Sequence, residues 1–239
     1  MGSKSRIAKY IVPIIQKCID DSGYEIYIEP FGGGMNVIDK ISKVKRYGCD
    51  LNKYLIQLFT HLQSGGSLPE QVPRDLYSAI RSNPNQFDDW LVGCVGFLAS
   101  YNGRFFDGGY ARPGYEKTKN GERYRDYYRE AKDNILSQLQ NLQDVKFIVR
   151  NYLDINPHRA VIFFDCPYTN TKQYKNATQF NHEQFLDVMR QWSQDNIVFI
   201  SEENAPEDFE CVWAQEVSRS IKATDKSVSI EKLFRYKQQ

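Results

Sequence analysis

The chain has 239 residues, a net charge of +1 at pH 7, and a composition 41% hydrophobic and 26% charged. That length allows one large domain or two small ones, with enough apolar side chains to bury a core without disulfide or metal staples. The near-neutral balance excludes a histone-like polycation and wholesale disorder, so any nucleic-acid contact has to come from a local basic patch.

Ile7, Ile11, Ile14 and Ile15 recur at helical spacing, which predicts a helix over residues 5–20, with Pro13 kinking it or marking its start. Residues 24–29, bounded by Gly23 and Pro30, read as a short strand. Gly32, Gly33 and Gly34 form a loop, helical spacing resumes over 35–41, and 45–49 is a second strand ending at Asp50. Strand, glycine loop, helix and strand make a βαβ unit of a parallel sheet. Helices are expected over 51–62 and 87–101, separated by a turn-rich stretch at 64–73. Residues 102–121 are glycine-rich, aromatic and basic without periodicity, and 124–142 read as a long charged helix. A strand at 145–149 precedes the continuous apolar run 160–164, the pattern of a buried central strand. A helix at 180–192, a strand at 197–201 and two antiparallel strands through Phe209, Cys211 and Trp213 and through Val228 and Ile230 complete the chain. The fold class expected is therefore α/β: a core of residues 1–50 and 145–239, interrupted by a mainly helical insertion at 51–144.

Two sites carry candidate chemistry. The first is Glu29-Pro30-Phe31-Gly32-Gly33-Gly34, a loop that lets backbone approach a ligand at the carboxyl edge of a parallel sheet, followed about 20 residues on by Asp50, placed to receive ribose hydroxyls. It is neither G-x-G-x-x-G nor a Walker loop; the alternative is a structural turn with Asp50 capping a helix. The second is Asp165-Cys166-Pro167-Tyr168, directly after the buried run. A carboxylate and a backbone carbonyl can hold the two hydrogens of an exocyclic amine and aim its lone pair at a sulfonium methyl, while the Tyr168 ring stacks on the base. The alternative is a strand-end turn with Tyr168 as packing.

Together, these motifs resemble the Dam-like, alpha-group DNA adenine methyltransferases. Residues 29–34 match their F-x-G-x-G-type loop in its E-P-F-x-G-G form, and 165–168 match D-P-P-Y. Gly2-Ser3-Lys4 looks like their G-[GS]-K segment, Asp50 and Leu51 stand where the ribose-binding acid lies, and 197–202 resembles a later strand ending in serine. The resemblance implies a Rossmann-like core with S-adenosylmethionine as donor and adenine in duplex DNA, flipped from the stack, as acceptor. It implies cofactor contacts from Gly2, Lys4, Glu29 to Gly34, Asp50, Leu51, Asn151, Tyr152 and Asp165. It places catalysis on Asp165, Cys166, Pro167 and Tyr168. The departures are Cys166 where the family has proline, and Asn151-Tyr152 where it often has an acid followed by an aromatic. A cytosine amine as acceptor is the nearest rival; a nucleic-acid-binding module without catalysis is the rival from another class.

Between Tyr101 and Lys132 basic residues outnumber acidic ones and alternate with aromatics, a mixture suited to phosphate contact and base-edge reading. Tyr101, Asn102, Arg104, Arg112, Lys117, Lys119 and Arg125 are the candidate DNA contacts. The family's Y-N-G-x-x-R hairpin lies near this place, although here Arg104 follows Gly103 directly. The alternative is a solvated loop and a charged helix face.

The five cysteines form no C-x-x-C pair and the three histidines are scattered, so neither a disulfide framework nor a metal site is expected. No apolar run reaches the roughly 18–20 residues of a membrane span, and Ser3, Lys4, Arg6 and Lys9 do not make a signal peptide. The expectation is a metal-free monomer in the cytoplasm of a bacterial or phage-infected cell.

Overall fold

A computed structural model describes residues 4–118, 121–165, 180–222 and 225–237. Helix α1 (Ser5–Ser22) buries Ile7, Ile11, Ile15 and Ile19 on one stripe and ends at Gly23, whose φ of 64° is the left-handed cap glycine adopts at little cost. Pro13 lies inside the helix, on its exposed side. Strand β1 (Ile26–Glu29) leads into the glycine loop, a single 3-10 turn (Ile38–Lys40) and β2 (Lys45–Asp50). The helix expected over 35–41 is therefore not formed. Its apolar spacing is real, since Met35, Ile38 and Ile41 are all buried, but Met35 takes φ 54° and Lys43 φ 65°, and left-handed residues interrupt a helix.

Next come α2 (Lys53–Gln63), α3 (Arg74–Ser82) and α4 (Asp89–Gly93), the last passing into a π-helical turn (Cys94–Leu98) and a 3-10 turn (Tyr101–Gly103). Helix α3 was not expected; only Tyr77 and Ile80 of its nine residues are buried, too few to announce a period. Strands β3 (Gly114–Thr118) and β4 (Gly121–Arg125) form an antiparallel ribbon inside the stretch that shows no periodicity in sequence. Helix α5 (Tyr127–Leu139) starts later than its charge pattern suggested, because Asp126 caps it by accepting from Arg129 N (3.1 Å) and Tyr124 belongs to β4. Strands β5 (Val145–Val149) and β6 (Ala160–Phe164), helix α6 (His182–Trp192), and strands β7 (Ile197–Glu202), β8 (Phe209–Lys222) and β9 (Asp225–Tyr236) follow.

The chain divides into two compact units, Asp50–Val149 and Ser3–Cys49 with Arg150–Gln239. The seven-stranded sheet has the order β5-β2-β1-β6-β7-β9-β8. Within the second unit β2, β1, β6 and β7 run parallel, while β9 is antiparallel to both β7 and β8. All five β6 side chains are buried. Ile162 and Phe164 pack with Phe185, Met189 and Trp192 of α6, whereas Val161 and Phe163 point to the opposite face, where α1 meets β6. After β1 the chain turns to β2 on one side, and after β6 it turns to β7 on the other. This reversal of winding opens a crevice at the carboxyl ends of β1 and β6, where open Rossmann-like sheets take ligands. In the first unit α2 packs on α4 and β5, and among the described residues the β3–β4 ribbon pairs with no further strand. Among the described residues no helix is long and apolar enough to cross a membrane.

Candidate active site

The loop after β1 is fixed by its own backbone. Gly32 N–H donates to Cys49 O at the end of β2 (2.7 Å), and Met35 N–H returns to Gly32 O (2.8 Å). A Cβ on Gly32 would lie 2.4 Å from the buried Met35 Cε and 3.1 Å from Cys49 O, and Gly33 takes φ 48°. Glycine is thus required by contact at one position and by conformation at the next. Pro30 is buried, Phe31 half-buried and Gly34 exposed.

Glu29 points inward. It is 3% exposed, accepts from Tyr27 Oη (2.8 Å) and from the Ile38 N–H, and so braces the loop from beneath. Burial pushes its carboxyl up to about 8; the charges of Asp165 and Asp39 add to the rise and the two hydrogen bonds oppose it.

Across the crevice Asp165 follows β6 with a partly exposed carboxylate. Its Oδ1 lies 3.2 Å from Lys4 Nζ, and Lys4, the residue before α1, also reaches Glu231 Oε2 of β9 at 3.1 Å. Burial raises the Asp165 carboxyl, the Lys4 ammonium lowers it, and the Glu231 charge raises it again. The β6–β7 register aligns Phe164 with Ile200, which sets Asp165 level with Ser201. Ser201 Oγ is buried and has no hydrogen-bond partner among the described residues. Asn151 and Tyr152 bound the same region. Asn151 Oδ1 caps a 3-10 turn by accepting from Leu153 N (3.1 Å), and the Tyr152 ring packs 5.3 Å from Phe31 and near Phe164, Phe180 and Phe185.

The second unit therefore holds Lys4, Glu29 to Gly34, Asn151, Tyr152 and Asp165. Asp50 and Leu51 fall in the other unit. Asp50 Oδ1 accepts from Asn52 N (2.8 Å), and it is Asn52 that caps α2, so Asp50 is not the helix cap the sequence left open. Leu51 is an exposed apolar side chain directly after it. Gly2, Cys166, Pro167, Tyr168 and Lys119 lie outside the described residues. The sequence does not single out Glu231 or Ser201: nothing local marks Glu231, and Ser201 stands out only as the end of a strand.

The candidate DNA contacts differ in how far their own unit engages them. Tyr101 is exposed with its ring 5.2 Å from Tyr127, Asn102 takes φ 56°, and Arg112 and Lys117 are exposed. Arg104 pairs with Asp107. Arg125 is fully engaged in bracing. It forks onto Glu130 (Nε to Oε1 3.1 Å, Nη2 to Oε2 3.1 Å), lies 3.6 Å from Glu116, and stacks 4.3 Å over the Tyr127 ring. The ribbon it braces presents Tyr115 and Tyr124, cross-strand partners with ring centroids 5.4 Å apart and the former 75% exposed. Their exposure follows from the ribbon register, which sequence did not reveal.

The family model described as D12 class N6 adenine-specific DNA methyltransferase matches residues 1–201. No curated protein matches the sequence. Among solved structures, two of the rRNA methyltransferase aviRa from Streptomyces viridochromogenes, at 2.4 Å and 1.5 Å, are similar at 10% and 8% identity. Each has a TM-score of 0.43 and covers 97% of this chain and 84% of the other. SMU.472 complexed with SAH is similar at a TM-score of 0.35 and 10% identity, covering 97% of this chain and 54% of that one.

Proposed function

From the premise that this chain belongs to the D12 class N6 adenine-specific DNA methyltransferase family, we propose that it is a Dam-like enzyme methylating the exocyclic amine of an adenine flipped out of duplex DNA, with S-adenosylmethionine as donor. The observation that carries the reading is the placement of Asp165, held by Lys4, at the carboxyl end of β6 beside a glycine loop that ends β1. The loop suits the donor: Gly33, at φ 48°, and the exposed Gly34 leave backbone open to a ligand. Phe31 to Gly34 and Tyr152 would hold the donor, and Asp50, which ends β2, is the acceptor assigned to the ribose hydroxyls. When bound, the donor supplies an electrophilic methyl group on a sulfonium.

The chain's residues do the rest by positioning. Asp165 accepts one amine hydrogen and the Cys166 carbonyl the other, which frees the nitrogen lone pair for in-line attack. That role needs a carbonyl and not the proline side chain, so Cys166 suffices. Tyr168 stacks on the flipped base. The carboxylate of Asp165 also stabilises the positive charge that grows on the nitrogen as it is methylated. Residues 51–144 would read the target, with Tyr115 and Tyr124 offering ring faces to bases and Arg104, Arg112 and Lys117 offering cations to base edges and phosphates.

The test is nucleoside analysis of duplex DNA incubated with the protein and S-adenosylmethionine. N6-methyladenine at a defined site is expected. Methyl groups on the cytosine amine would reassign the acceptor, and methyl transfer to no base, with S-adenosylmethionine bound, would favour a binding module.

A further inference from the structure

Glu231 belongs to β9, beyond residue 201 where the family match ends. Its carboxylate stands 3.1 Å from the Lys4 ammonium, which in turn stands 3.2 Å from Asp165. The three groups come from the start of α1, the end of β6 and the return strand of the last hairpin, and Lys4 and Glu231 are 227 positions apart. Lys4 is 7% exposed and Glu231 15%. An ammonium that deep is retained only where anions offset its lost hydration. One carboxylate would neutralise it. Two carboxylates, at 3.2 and 3.1 Å, tie down the flexible lysine at its Nζ.

The tie bears on Asp165, whose Oδ1 lies on the same ammonium. With Glu231 present, the ammonium is shared. We propose that Glu231 is a positioning residue for methyl transfer, which through Lys4 fixes the Asp165 carboxylate where it receives the target amine. This rests on the reading of Asp165 as the residue that receives the amine. In the step it serves, the amine lone pair forms the new N–C bond, the C–S bonding pair leaves with the donor sulfur, and one amine proton passes to solvent. Glu29, whose carboxyl feels the Asp165 charge, does not take this part: it is held by Tyr27 and the Ile38 N–H.

The experiment compares wild type, Glu231→Gln and Glu231→Asp in single-turnover methylation of duplex DNA at saturating S-adenosylmethionine. Donor affinity is measured by calorimetry, and the Lys4 side-chain ammonium is followed by nitrogen-15 NMR, assigned with Lys4→Arg. Glu231→Gln is expected to slow transfer on the order of ten- to a hundredfold, with donor affinity and melting temperature unchanged and the Lys4 signal shifted. Glu231→Asp is expected to recover part of the rate. Transfer by Glu231→Gln at the wild-type rate overturns the proposal, as does a loss that merely tracks donor affinity or stability. Wild-type protein that methylates no adenine overturns the proposed function, and the role of Glu231 with it. The Lys4 signal needs no turnover and tells the two failures apart: it moves in Glu231→Gln where the bridge exists and stays where it does not.

Discussion

Asp165 follows a strand whose five side chains are all buried, yet its own carboxylate keeps 29% exposure beside Lys4. Its Oδ1 lies 3.2 Å from the Lys4 ammonium. Asp165→Asn keeps the shape and removes the charge, so methyl transfer should fall on the order of a hundred- to a thousandfold, as when one preorganised polar group is lost from a transition state. Donor affinity should change far less, and single-turnover kinetics beside calorimetry check the split. Glu29 poses the opposite case, a carboxyl used for structure. Its folded pKa of about 8 lies above the ordinary value of 4.5. Between those two pH values the folded state keeps a proton that the unfolded state has lost, so stability falls as pH rises through the window and levels off above it. Glu29→Gln cannot titrate and should remove that slope. Urea unfolding at pH 5 and pH 8.5 should show wild type losing on the order of 4 kcal/mol more than the variant; parallel profiles would mean that Glu29 is ionised throughout.

The β3–β4 ribbon is the element whose role depends most on what surrounds each charge. Arg125 pairs with Glu130, lies 3.6 Å from Glu116 and stacks on the Tyr127 ring, so it ties the ribbon to α5. Arg104 pairs with Asp107 at the surface, where an ion pair contributes little, so exchange of Asp107 for a guanine edge costs little. Lys117 is exposed on the ribbon itself. The two side chains should therefore fail differently. Arg104→Ala should cost roughly 1–3 kcal/mol and relax the preference at one position of the site, while Lys117→Ala should weaken binding to all sequences and flatten its salt dependence. Sequencing of methylated sites for each variant decides it; an unchanged site for Arg104→Ala would move Arg104 to the phosphates.

At the scale of the whole molecule, the proposed function assigns the two units two tasks. The glycine loop, Tyr152 and Asp165 fall in one, the aromatic ribbon in the other. A donor that binds the folded state at a hundredfold excess over its dissociation constant should stabilise it by about 2.7 kcal/mol. Calorimetric scans should place that shift on the transition of the unit carrying the loop, and DNA without donor should not reproduce it. Asp50→Ala should reduce the shift, since loss of a charged acceptor costs on the order of 1.5–3 kcal/mol, or ten- to a hundredfold in affinity. An unaltered affinity would take the ribose hydroxyls away from Asp50.

The chain by itself determined the strand–glycine loop–strand order, the buried run ending at Asp165 and the antiparallel tail. Each of these is written in neighbours: the period of side chains along one element, a glycine where no Cβ fits, a carboxylate directly after an apolar strand. It misled where local pattern and local conformation part company. Residues 35–41 have helical spacing, but their side chains are buried by a tight loop with Met35 in left-handed geometry, and burial alone leaves the same spacing as a helix. The β3–β4 ribbon was illegible for the converse reason, because a two-stranded ribbon with exposed tyrosines has no core-facing side to impose alternation. Only the tertiary structure decided that Arg125 is an anchor, that Glu29 faces inward to Tyr27, and that Glu231 meets Lys4 across nearly the whole chain. Such contacts are set by where packed elements bring distant side chains, and electrostatics then acts across a few ångströms that no sequence spacing records.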